Sequence, residues 1–487
     1  MSDSSPHHVG DVLVVGCGPV GVMAALRCAQ RGLRVTAIDR TAEIYPLPRA
    51  IGMDDEIQRL FTDAGLGAAL SAVSTPLSGA EFLDADGNRV VGHEPPPGFV
   101  TRLGYPLSVM FDQPSLEAAL RAAAERAGVE FRFGLEVIDV DPVEPCVVTQ
   151  SSAAAGGQQR LTARWVIGAD GASSTVRKVC SIGLDNQGFD QDWLVVDTTQ
   201  LDPDLPLSPL AQQHCHPDRV VTFVPGHRNH KRWEFQLRND ETQDDARTPE
   251  FLQARMSEWG TPEQLRIDRS AVYRFHATVA ERFRVGSVFL AGDAAHQMPP
   301  FNGQGMCTGM RDAENLSWKL AAVRGGVLPE EVLDTYEVER LPHATGQVAH
   351  SAAAGRLIDA IARGGARAIA DGYGGGRPFP HLERGLLDLD CGHDAVGRPL
   401  PLPSGIAVDE LGSMLGPDWA LISAVQGGPA RSAETVDAWA RLGAATVTMS
   451  AEALPLLAEG ATVVVRPDRY IAAVTADLDA TTSRLFA

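Results

Sequence analysis

Long hydrophobic runs are missing from this sequence of 487 residues. No uninterrupted apolar segment approaches the roughly 20 residues that a membrane-spanning helix needs. The N-terminal segment 1–10 is polar and lacks the basic-then-apolar layout of a secretory signal, so we expect a frayed tail on a cytoplasmic protein. A membrane protein is therefore not expected.

Positive charge is also scarce. Asp and Glu number 62 against 42 Lys and Arg, which gives a formal net charge of −20. Nucleic acids and anionic membranes require clustered positive charge, so neither is expected as a partner. A small anionic substrate is still compatible with this charge, because a few local arginines can override the overall field at short range.

Paired cysteine motifs are missing as well. The seven cysteines include no Cys-x-x-Cys pair, which argues against a disulfide framework and a zinc ribbon and favours buried thiols. His214-Cys215-His216 invites a metal site, but consecutive residues on an extended chain point in opposite directions. No metal is expected.

The rest of the composition is that of an ordinary globular protein, with 44% hydrophobic and 21% charged residues. A chain of this length is too long for one simple core, so two or three domains are expected. No obvious repeat at solenoid periods is present.

The N-terminal pattern predicts a βαβ unit. Asp11–Val15 is a short apolar run typical of a buried parallel strand, Val22–Arg31 has helical composition, and Arg34–Ile38 predicts a second strand. Segments 161–168 and 285–291 show the same buried-strand pattern.

Later segments predict other elements. Between about 185 and 275, alternating strands predict an antiparallel sheet with one covered face. Helices are predicted over Arg311–Val323 and Glu330–Arg340. The Gly- and Pro-rich stretch 372–380 predicts a loop, and a small α/β unit is predicted from about Gly397 onward.

A glycine-rich turn follows the first strand. In Gly16-x-Gly18-x-x-Gly21, the first glycine permits a tight turn, the second lets a pyrophosphate approach the backbone, and the third lets helix and strand pack closely. The helix N-terminus offers unpaired N–H groups and partial positive charge to phosphates. Asp39 ends the second strand, where an acid for the ribose hydroxyls belongs. The unit predicts dinucleotide binding, with NAD and FAD both open.

Two further segments decide between these cofactors. Asp170–Arg177 (DGASSTVR) and Gly292–Pro300 (GDAAHQMPP) resemble the two remaining signature motifs of the para-hydroxybenzoate-hydroxylase-like flavin monooxygenases. Together with the glycine-rich turn, they stand in that family's order and at its spacing. The resemblance covers about residues 11–342 well and the C-terminal region more loosely.

The resemblance implies a fold that combines α/β and α+β architecture. It would have a Rossmann-like FAD-binding domain, an inserted antiparallel-sheet substrate domain and a C-terminal thioredoxin-like domain. The implied boundaries are 1–75, 101–184 and 276–395 for the discontinuous FAD-binding domain, 76–100 and 185–275 for the substrate domain, and 396–487 for the thioredoxin-like domain. With no cysteine after Cys391, that last domain has no thiol redox function, and packing or homodimerisation is its default role.

By resemblance, the FAD contacts come from all three motifs and from flanking loops. Arg49 and Gln113 match the family's flavin-contacting Arg and Gln, with a solvated surface charge as the alternative for Arg49. Asp170 and Arg177 match a bridge between FAD and the nicotinamide groove. The expected cofactor-binding residues are Gly16, Gly18, Pro19, Val20, Gly21, Asp39, Arg40, Arg49, Gln113, Val137, Asp170, Arg177, Gly292, Asp293, Pro300, Gly303, Gln304, Gly305, Met306 and Cys307.

Three of these expectations are specific. Asp293 would accept hydrogen bonds from ribityl hydroxyls, and Val137 would meet the adenine through its backbone. In the family, the helix that begins after Gly303-Gln304-Gly305-Met306 points its N-terminus at the flavin ring, where it favours the reduced anion. Many relatives have Asn in place of Cys307, and the alternative for this cysteine is a buried space-filler.

The resemblance also implies a mechanism. No second strand–Gly-x-Gly-x-x-Gly–helix unit is visible, so NADH or NADPH would dock transiently to reduce FAD. Dioxygen would then form a flavin C4a-hydroperoxide that attacks a small, electron-rich aromatic substrate. The Pro300 carbonyl is a candidate acceptor for the substrate hydroxyl. His296 is a candidate for a proton route, with a structural imidazole as the alternative.

The overall look is nearest to 3-(3-hydroxyphenyl)propionate hydroxylases, which act on phenols with a short acid side chain. It rests on Phe111–Pro114, Trp233–Phe235 and Arg311–Leu316. A substrate carboxylate could meet Arg238, Tyr105 or Arg274, and a surface or structural role is the alternative for each of them.

Other functions stay open at this point. A tailoring monooxygenase for polycyclic aromatic polyketides, including Baeyer–Villiger insertion, is the main alternative within the superfamily. A flavin halogenase is disfavoured because the seven tryptophans include no Trp-x-Trp pair. A flavin-binding protein without turnover is the alternative from a different class.

Overall fold

The computed structural model describes residues 6–151, 157–364, 381–425 and 431–486. The stretch 372–380, predicted as a loop, lies outside the described residues. Within the described residues, no helix combines the length and the apolar character needed to cross a membrane.

Four sheets and their covering helices account for the described regular structure. The strands are β1 (His7–Val15), β2 (Val35–Asp39), β3 (Gly52–Asp54), β4 (Ser74–Pro76), β5 (Ala80–Leu83), β6 (Arg89–His93), β7 (Ser108–Phe111), β8 (Glu130–Phe133), β9 (Leu135–Asp141), β10 (Cys146–Ser151), β11 (Gln158–Gly168), β12 (Leu184–Gln200), β13 (Ala211–Cys215), β14 (Val220–Pro225), β15 (His230–Gln236), β16 (Leu265–Ala280), β17 (Arg284–Val285), β18 (Val288–Leu290), β19 (His296–Gln297), β20 (Ala420–Ser423), β21 (Ala445–Thr448), β22 (Thr462–Val465) and β23 (Ile471–Thr475). The α-helices are α1 (Pro19–Gln30), α2 (Asp55–Asp63), α3 (Gly67–Ala72), α4 (Gln113–Arg126), α5 (Thr175–Val179), α6 (Gln243–Ala246), α7 (Pro249–Met256), α8 (Gly305–Arg324), α9 (Asp334–Ala362), α10 (Val408–Leu415), α11 (Ala433–Arg441) and α12 (Leu478–Phe486).

The first sheet contains the predicted βαβ unit. Its main path runs in the order β17-β18-β11-β1-β2-β8, and β10 and β9 continue from β11. β1 pairs in parallel with β2 and with β11, and β11 pairs in parallel with β18. Val12, Leu13 and Val14 are completely buried, as expected of a parallel strand covered on both faces.

The second sheet contains the strands predicted between 185 and 275. Its order is β19-β16-β12-β15-β14-β13-β5-β6, and its pairs are antiparallel apart from β13 and β5. One face packs Phe223 and Trp233 against Met256 of α7. The other packs Trp193 against Leu357 of α9. The prediction of one covered face was therefore wrong, because helices cover parts of both faces.

Two smaller sheets complete the described fold. β3, β7 and β4 form a three-stranded sheet beside α2. The C-terminal unit has the order β21-β20-β22-β23, in which β20 and β21 are parallel and β22 runs antiparallel to both of its neighbours. The seven cysteines form no disulfide in the described residues; Cys180 and Cys391 are half-buried, and the other five are buried, as predicted.

Two predicted boundaries were wrong. The segment 1–10 is not a tail throughout, because His7 pairs with Leu161 at the start of β1. This end of β1 is exposed and therefore carries no hydrophobic signal. The helix predicted to end at Arg340 continues to Ala362, through Pro342. Its buried face, with Ala344 and Val348, packs on the core and maintains the helix despite the proline.

A buried ion-pair network joins α8 and α9 to the C-terminal unit. Arg466 donates to Glu339 at 2.7 Å and to Asp468 at 2.7 Å, and Lys319 Nζ donates to Glu339 at 2.7 Å. Burial opposes the ionisation of Glu339, but the charges of Arg466 and Lys319 outweigh it and hold the pKa of that carboxyl well below its usual range. The C-terminal unit is thus anchored by charges that water does not screen.

Replacing Glu339 with Gln should therefore destabilise the protein by roughly 3–5 kcal/mol, because Arg466 and Lys319 would lose a buried counter-charge. Thermal unfolding of the two proteins measures the loss. Glu330→Gln is the matched control, since it removes a pair with Arg164 that is exposed on both sides and should cost less than about 1 kcal/mol. Equal losses in the two variants would contradict the role given to the network.

Candidate functional site

The three motifs meet at one edge of the first sheet. β1, β11 and β18 are neighbouring parallel strands, so their carboxyl ends lie side by side. The hydrogen bonds from Ala169 N to Val15 O (2.8 Å) and from Ala291 N to Gly168 O (3.0 Å) continue this pairing past the strand ends. The segments that follow these strands are the three motifs, and this edge is where open α/β sheets bind ligands.

The glycine-rich turn is shaped by close backbone contacts. Gly16 has a φ of +101°, and a Cβ on it would lie 2.3 Å from Ala169 O. A Cβ on Gly21 would lie 2.0 Å from Gly16 O. A Cβ on Gly18 would meet no protein atom within 4 Å. The first and third glycines therefore let the main chain pack, whereas the second leaves the backbone open on its outer side.

The third motif packs on the same turn. A Cβ on Gly292, whose φ is +64°, would lie 3.2 Å from the Val20 side chain. A Cβ on Gly309 in α8 would lie 2.6 Å from Val20 and 2.8 Å from the Cα of Gly292. The start of α1, the turn at Gly292 and the first turns of α8 thus form one junction.

Asp39 holds the glycine-rich turn from the side. Its Oδ2 accepts from Cys17 N at 2.7 Å, and its Oδ1 accepts from Thr41 N at 3.0 Å. Arg121 of α4, which the sequence reasoning missed, donates to Cys17 O at 2.9 Å and to Ala42 O at 2.8 Å. It lies two helical turns after Gln113, a spacing that could have revealed it. The neighbouring Arg40 is exposed.

The Pro48-Arg49 segment is fixed from two directions. Gln113 Oε1 accepts from Arg49 N at 2.8 Å and from Ala50 N at 2.7 Å, so this amide, expected at the flavin, binds the loop. From the second sheet, Arg232 donates to Pro48 O at 2.6 Å and to Arg49 O at 2.8 Å. The Arg49 side chain is exposed and stacks on the Tyr45 ring at 4.7 Å.

Asp170 acts as a local cap. Its carboxylate accepts from Ser174 Oγ at 2.5 Å and from Thr175 N at 2.7 Å at the start of α5. Arg177 is buried and donates to Ile182 O at 3.2 Å. The two side chains, expected to form a bridge to a nicotinamide groove, thus have structural partners that hold the second motif. Val137 is buried in β9, where it pairs with Thr149.

Asp293 lies at the base of a cleft. Its side chain is exposed to solvent. Even so, desolvation by the surrounding protein raises the pKa of its carboxyl, while the nearby charges of His296 and Arg49 act in the opposite direction. The charge of Arg49, on the loop after β2, thus acts on a carboxyl of the third motif. This carboxylate is available to accept hydrogen bonds from a ligand in the cleft.

His296 is fully buried under the third motif. Its Nε2 lies 2.7 Å from Asp312 Oδ2, which also accepts from Gly292 N at 3.1 Å, and Arg340 donates to Asp312 Oδ1 at 2.8 Å. This cluster of histidine, carboxylate and arginine fixes the turn on α8. The geometry favours the structural alternative for His296.

The last motif residues lead into α8. Pro300 starts a 3-10 turn in which its carbonyl accepts from Gly303 N at 2.8 Å, and Gly303 has a φ of +62°. The half-buried Gly305 and Met306 begin a helix of 20 residues, whose first N–H groups carry partial positive charge. Cys307 is fully buried, and its thiol donates to Gly303 O at 3.4 Å.

Apolar side chains connect the 3-10 turn to the second sheet. The Phe301 ring lies 5.4 Å from Trp193 and 5.8 Å from Phe189, and Phe275 stacks on Trp193 at 5.8 Å. These rings pack between the sheet and the turn that Pro300 begins. The second sheet therefore reaches the cleft through this aromatic cluster and through Pro48.

Two alanine variants can separate the role of Gly18, which leaves the backbone open, from that of Gly16, which lets the main chain pack. Gly18→Ala should leave the stability of the apoprotein within about 0.5 kcal/mol of the parent, because its φ of −74° suits alanine and no protein atom is near. It should nevertheless lower FAD affinity. Gly16→Ala should destabilise the apoprotein itself by roughly 1–3 kcal/mol. Thermal unfolding and flavin absorbance after desalting measure both effects. Full FAD retention by Gly18→Ala would contradict a diphosphate site at this turn.

Comparisons with known proteins agree with this geometry. Residues 10–351 match the family model described as an FAD binding domain. The chain is 34% identical over 381 residues to a 3-(3-hydroxy-phenyl)propionate/3-hydroxycinnamic acid hydroxylase of Mycolicibacterium gilvum (strain PYR-GCK), covering 78% of this chain and 65% of the relative. It is 36% identical over 337 residues to a probable NADH-specific resorcinol 4-hydroxylase of Rhodococcus jostii (strain RHA1), covering 68% of this chain and 62% of the relative. These alignments thus span slightly less than two thirds of each relative's length.

The fold is shared with solved structures over nearly the whole chain. A ternary complex of aklavinone-11 hydroxylase with FAD and aklavinone superposes with a TM-score of 0.78 at 23% identity, covering 99% of this chain and 98% of the other. That likeness includes the C-terminal unit, which the family model does not reach. With the three motifs side by side at one sheet edge, this chain belongs to the FAD-binding family that includes these aromatic hydroxylases.

Proposed function

We propose that this chain is an FAD-dependent monooxygenase that hydroxylates a small phenolic compound with NADH or NADPH and dioxygen. The observation that carries the proposal is the convergence of three backbone segments at the carboxyl ends of β1, β11 and β18, beside a sheet that reaches the same cleft. The reaction class is supported by the relatives, which are named as hydroxylases of phenolic acids and of resorcinol.

The residues at the sheet edge fit FAD. Bound FAD would supply the redox chemistry that activates dioxygen, which side chains alone cannot provide. Gly18 leaves the backbone open for the diphosphate, and Asp39 lies beside the same turn for the ribose. Asp293 offers a solvent-exposed carboxylate for ribityl hydroxyls. The N-terminus of α8 at Gly305 would stabilise negative charge on the ring.

The chain's own groups would hold the substrate and keep water away from it. The Pro300 carbonyl accepts a hydrogen bond from Gly303 N within the turn, and its second lone pair can accept from a substrate hydroxyl. The aromatic cluster around Phe301 gives this place an apolar wall, which favours a ring and excludes water. His296 is better suited to holding the turn than to moving a proton, because it is fully buried against Asp312.

We also propose that the C-terminal unit has a thioredoxin-like fold with a packing role. Its parallel strands β20 and β21 are joined through α11, and the antiparallel strands β22 and β23 are followed by α12, which supports that fold. Between β21 and β22, a short 3-10 turn at Pro455–Gly460 takes the place of the fold's second helix. No cysteine follows Cys391, so thiol redox chemistry is not available there. The buried network around Arg466 supports packing, and homodimerisation through this unit stays a proposal.

Hydroxylation of a polycyclic substrate is the second candidate. The aklavinone-11 hydroxylase complex shares the fold over 99% of this chain, so the architecture is compatible with a larger ring system. The named relatives of higher sequence identity favour a single phenolic ring.

The proposal predicts a yellow protein whose oxidation of NADH or NADPH is accelerated by the right phenol. A screen over resorcinol, hydroxybenzoates, hydroxyphenylpropionates and polycyclic phenols should find a compound that both stimulates oxidation and gains one oxygen atom by mass. Comparing NADH with NADPH in the same assay identifies the reductant. If every compound fails one of these two criteria, the hydroxylase assignment is wrong.

FAD retention provides a separate check on Asp293. Asp293→Ala should weaken FAD binding about 10- to 100-fold, since hydrogen bonds to a charged group are worth about 1.5–3 kcal/mol. Flavin content after desalting and a titration of the apoprotein measure the change. Asp240→Ala, which alters an exposed carboxylate in a surface pair with Arg238, is the matched control. Unchanged flavin content would remove Asp293 from the site.

A further inference from the structure

One face of the second sheet carries three polar side chains in a line. The strand register pairs Val195 with Glu234, Glu234 with Thr222, and Thr222 with Gln213. Residues directly opposite each other point to the same face, so Gln213, Thr222 and Glu234 form one row, here called the polar row. All three are buried, and only 5% of Glu234 is exposed.

The polar row faces the cleft. On one side, Asp197 lies two residues along β12 from Val195 and therefore on the same face, where Arg232 ties it to Pro48 O. On the other side, Trp193 shares this face and packs on Phe301. The row thus lies between the Pro48-Arg49 segment and the turn that begins at Pro300.

Glu234 has an unusual environment for a carboxyl group. Among the described residues, none donates a hydrogen bond to its side chain, while Thr222 Oγ1 donates to Gln213 Oε1 at 2.7 Å. Burial raises the pKa of Glu234 to about 7, while the charge of Arg232 acts in the opposite direction and that of Asp197 in the same direction. A largely buried carboxyl without a hydrogen bond from the protein is uncommon, and the small exposed part of Glu234 leaves room for a donor from a ligand.

The positive groups of this face are already engaged. His230, Arg232 and Arg269 all bond to Asp197, and Arg269 also donates to Pro48 O at 3.0 Å. Of the arginines that could have met a carboxylate, Arg238 pairs with Asp240 beyond the end of β15. In the described part of this face, no cation is left beside the polar row to balance a second carboxylate. Arg49 belongs to the neighbouring loop and not to the sheet, and its guanidinium stacks on the Tyr45 ring.

Arg274 and Tyr105 do not change this conclusion. Arg274 follows Tyr273 in β16 and points to the opposite face of the sheet, where it is exposed near Asp190. Tyr105 lies near Thr62 and Asp63 of α2, against the C-terminal unit. Neither side chain faces the polar row.

We propose that the polar row binds a hydroxyl group of the aromatic substrate, with Glu234 as the acceptor, and that the substrate is an uncharged polyhydroxylated ring and not a phenol with a carboxylate side chain. This inference rests on the proposed hydroxylase function. A phenolic O–H donates the hydrogen bond that Glu234 lacks, and the Gln213 amide N–H can donate to the same oxygen. A substrate carboxylate would instead meet the negative charge of Glu234 without a counter-charge. This repulsion would disfavour carboxylated phenols relative to uncharged ones.

The test uses a matched pair of ligands that differ by one carboxylate. Resorcinol and 3,5-dihydroxybenzoate are titrated into the oxidised holoprotein at a pH of about 8.5, where a carboxyl with a pKa of about 7 is ionised, and binding is followed by the change in flavin absorbance. The wild-type protein should bind resorcinol at least about 10-fold more tightly, the size expected for one charge-assisted hydrogen bond. Titration of 3-(3-hydroxyphenyl)propionate should give weak binding for the same reason. These comparisons need no variant.

Glu234→Gln then assigns the preference to one residue. It keeps the shape of the side chain and removes the charge, so resorcinol should bind about 10-fold more weakly while 3,5-dihydroxybenzoate does not weaken, and the ratio of their Kd values should collapse. Glu81→Gln makes the same change on the opposite face, where Glu81 accepts from Gln212 at 2.8 Å, and should leave that ratio unchanged. Flavin content and melting temperature report whether each variant is folded.

Three results separate this inference from the proposed function. Equal or tighter binding of a carboxylated phenol by the wild-type protein overturns the inference and leaves the hydroxylase assignment intact. A Kd ratio that Glu234→Gln does not change also overturns it. If no phenol of either kind alters the flavin spectrum or stimulates NAD(P)H oxidation, the proposed function fails, and the inference fails with it.

Discussion

The architecture of the site depends on close contacts between backbone segments at glycines, where a side chain would not fit. Gly16 lies against the carbonyl of Ala169, and Gly309 lies against Gly292. Each contact joins segments that are far apart in sequence, and together they hold the glycine-rich turn between the second and third motifs. Because backbone contacts of this kind tolerate almost no displacement, they also hold the neighbouring polar groups in fixed positions. A nucleotide that bridges all three segments can therefore bind to a preformed surface.

A second constraint ties the antiparallel sheet to that surface. Burial opposes the ionisation of Asp197, but hydrogen bonds from His230 and the charge of Arg232 hold the pKa of its carboxyl below the usual range. Arg232 then extends to the carbonyls of Pro48 and Arg49. Since Gln113 holds the same loop from the first sheet, the substrate side and the cofactor side are aligned through one short segment. Chemistry between a bound ring and a bound cofactor requires this alignment to within fractions of an ångström.

Sequence patterns predicted the features that depend on neighbouring residues in the chain. The βαβ unit and the roles of Gly16 and Gly21 follow from strand hydrophobicity and from steric freedom at the turn. The continuation of α9 past Pro342 could not be predicted in this way, because it depends on burial against other elements. Arg121 was missed although its helical spacing from Gln113 was a signal, because its acceptors are carbonyls of distant loops. The same limit applies to Gln113. Its residue type matched a flavin contact, whereas its acceptor oxygen binds backbone N–H groups that only the folded chain brings near.

Two carboxyl groups on one face of the second sheet, those of Asp197 and Glu234, differ in role: the first is structural, and the second is proposed to bind the substrate. Asp197 receives bonds from three basic side chains, so it is ionised, and its role is to hold elements together. Glu234, two residues beyond Arg232 on the next strand, is almost as deeply buried, yet the described residues give it no such partner. Folding alone would favour an apolar residue at that position, because a buried carboxyl without a hydrogen bond lowers stability. The polar row proposal accounts for this carboxyl, because a substrate hydroxyl in the cleft would supply the hydrogen bond that the described residues do not.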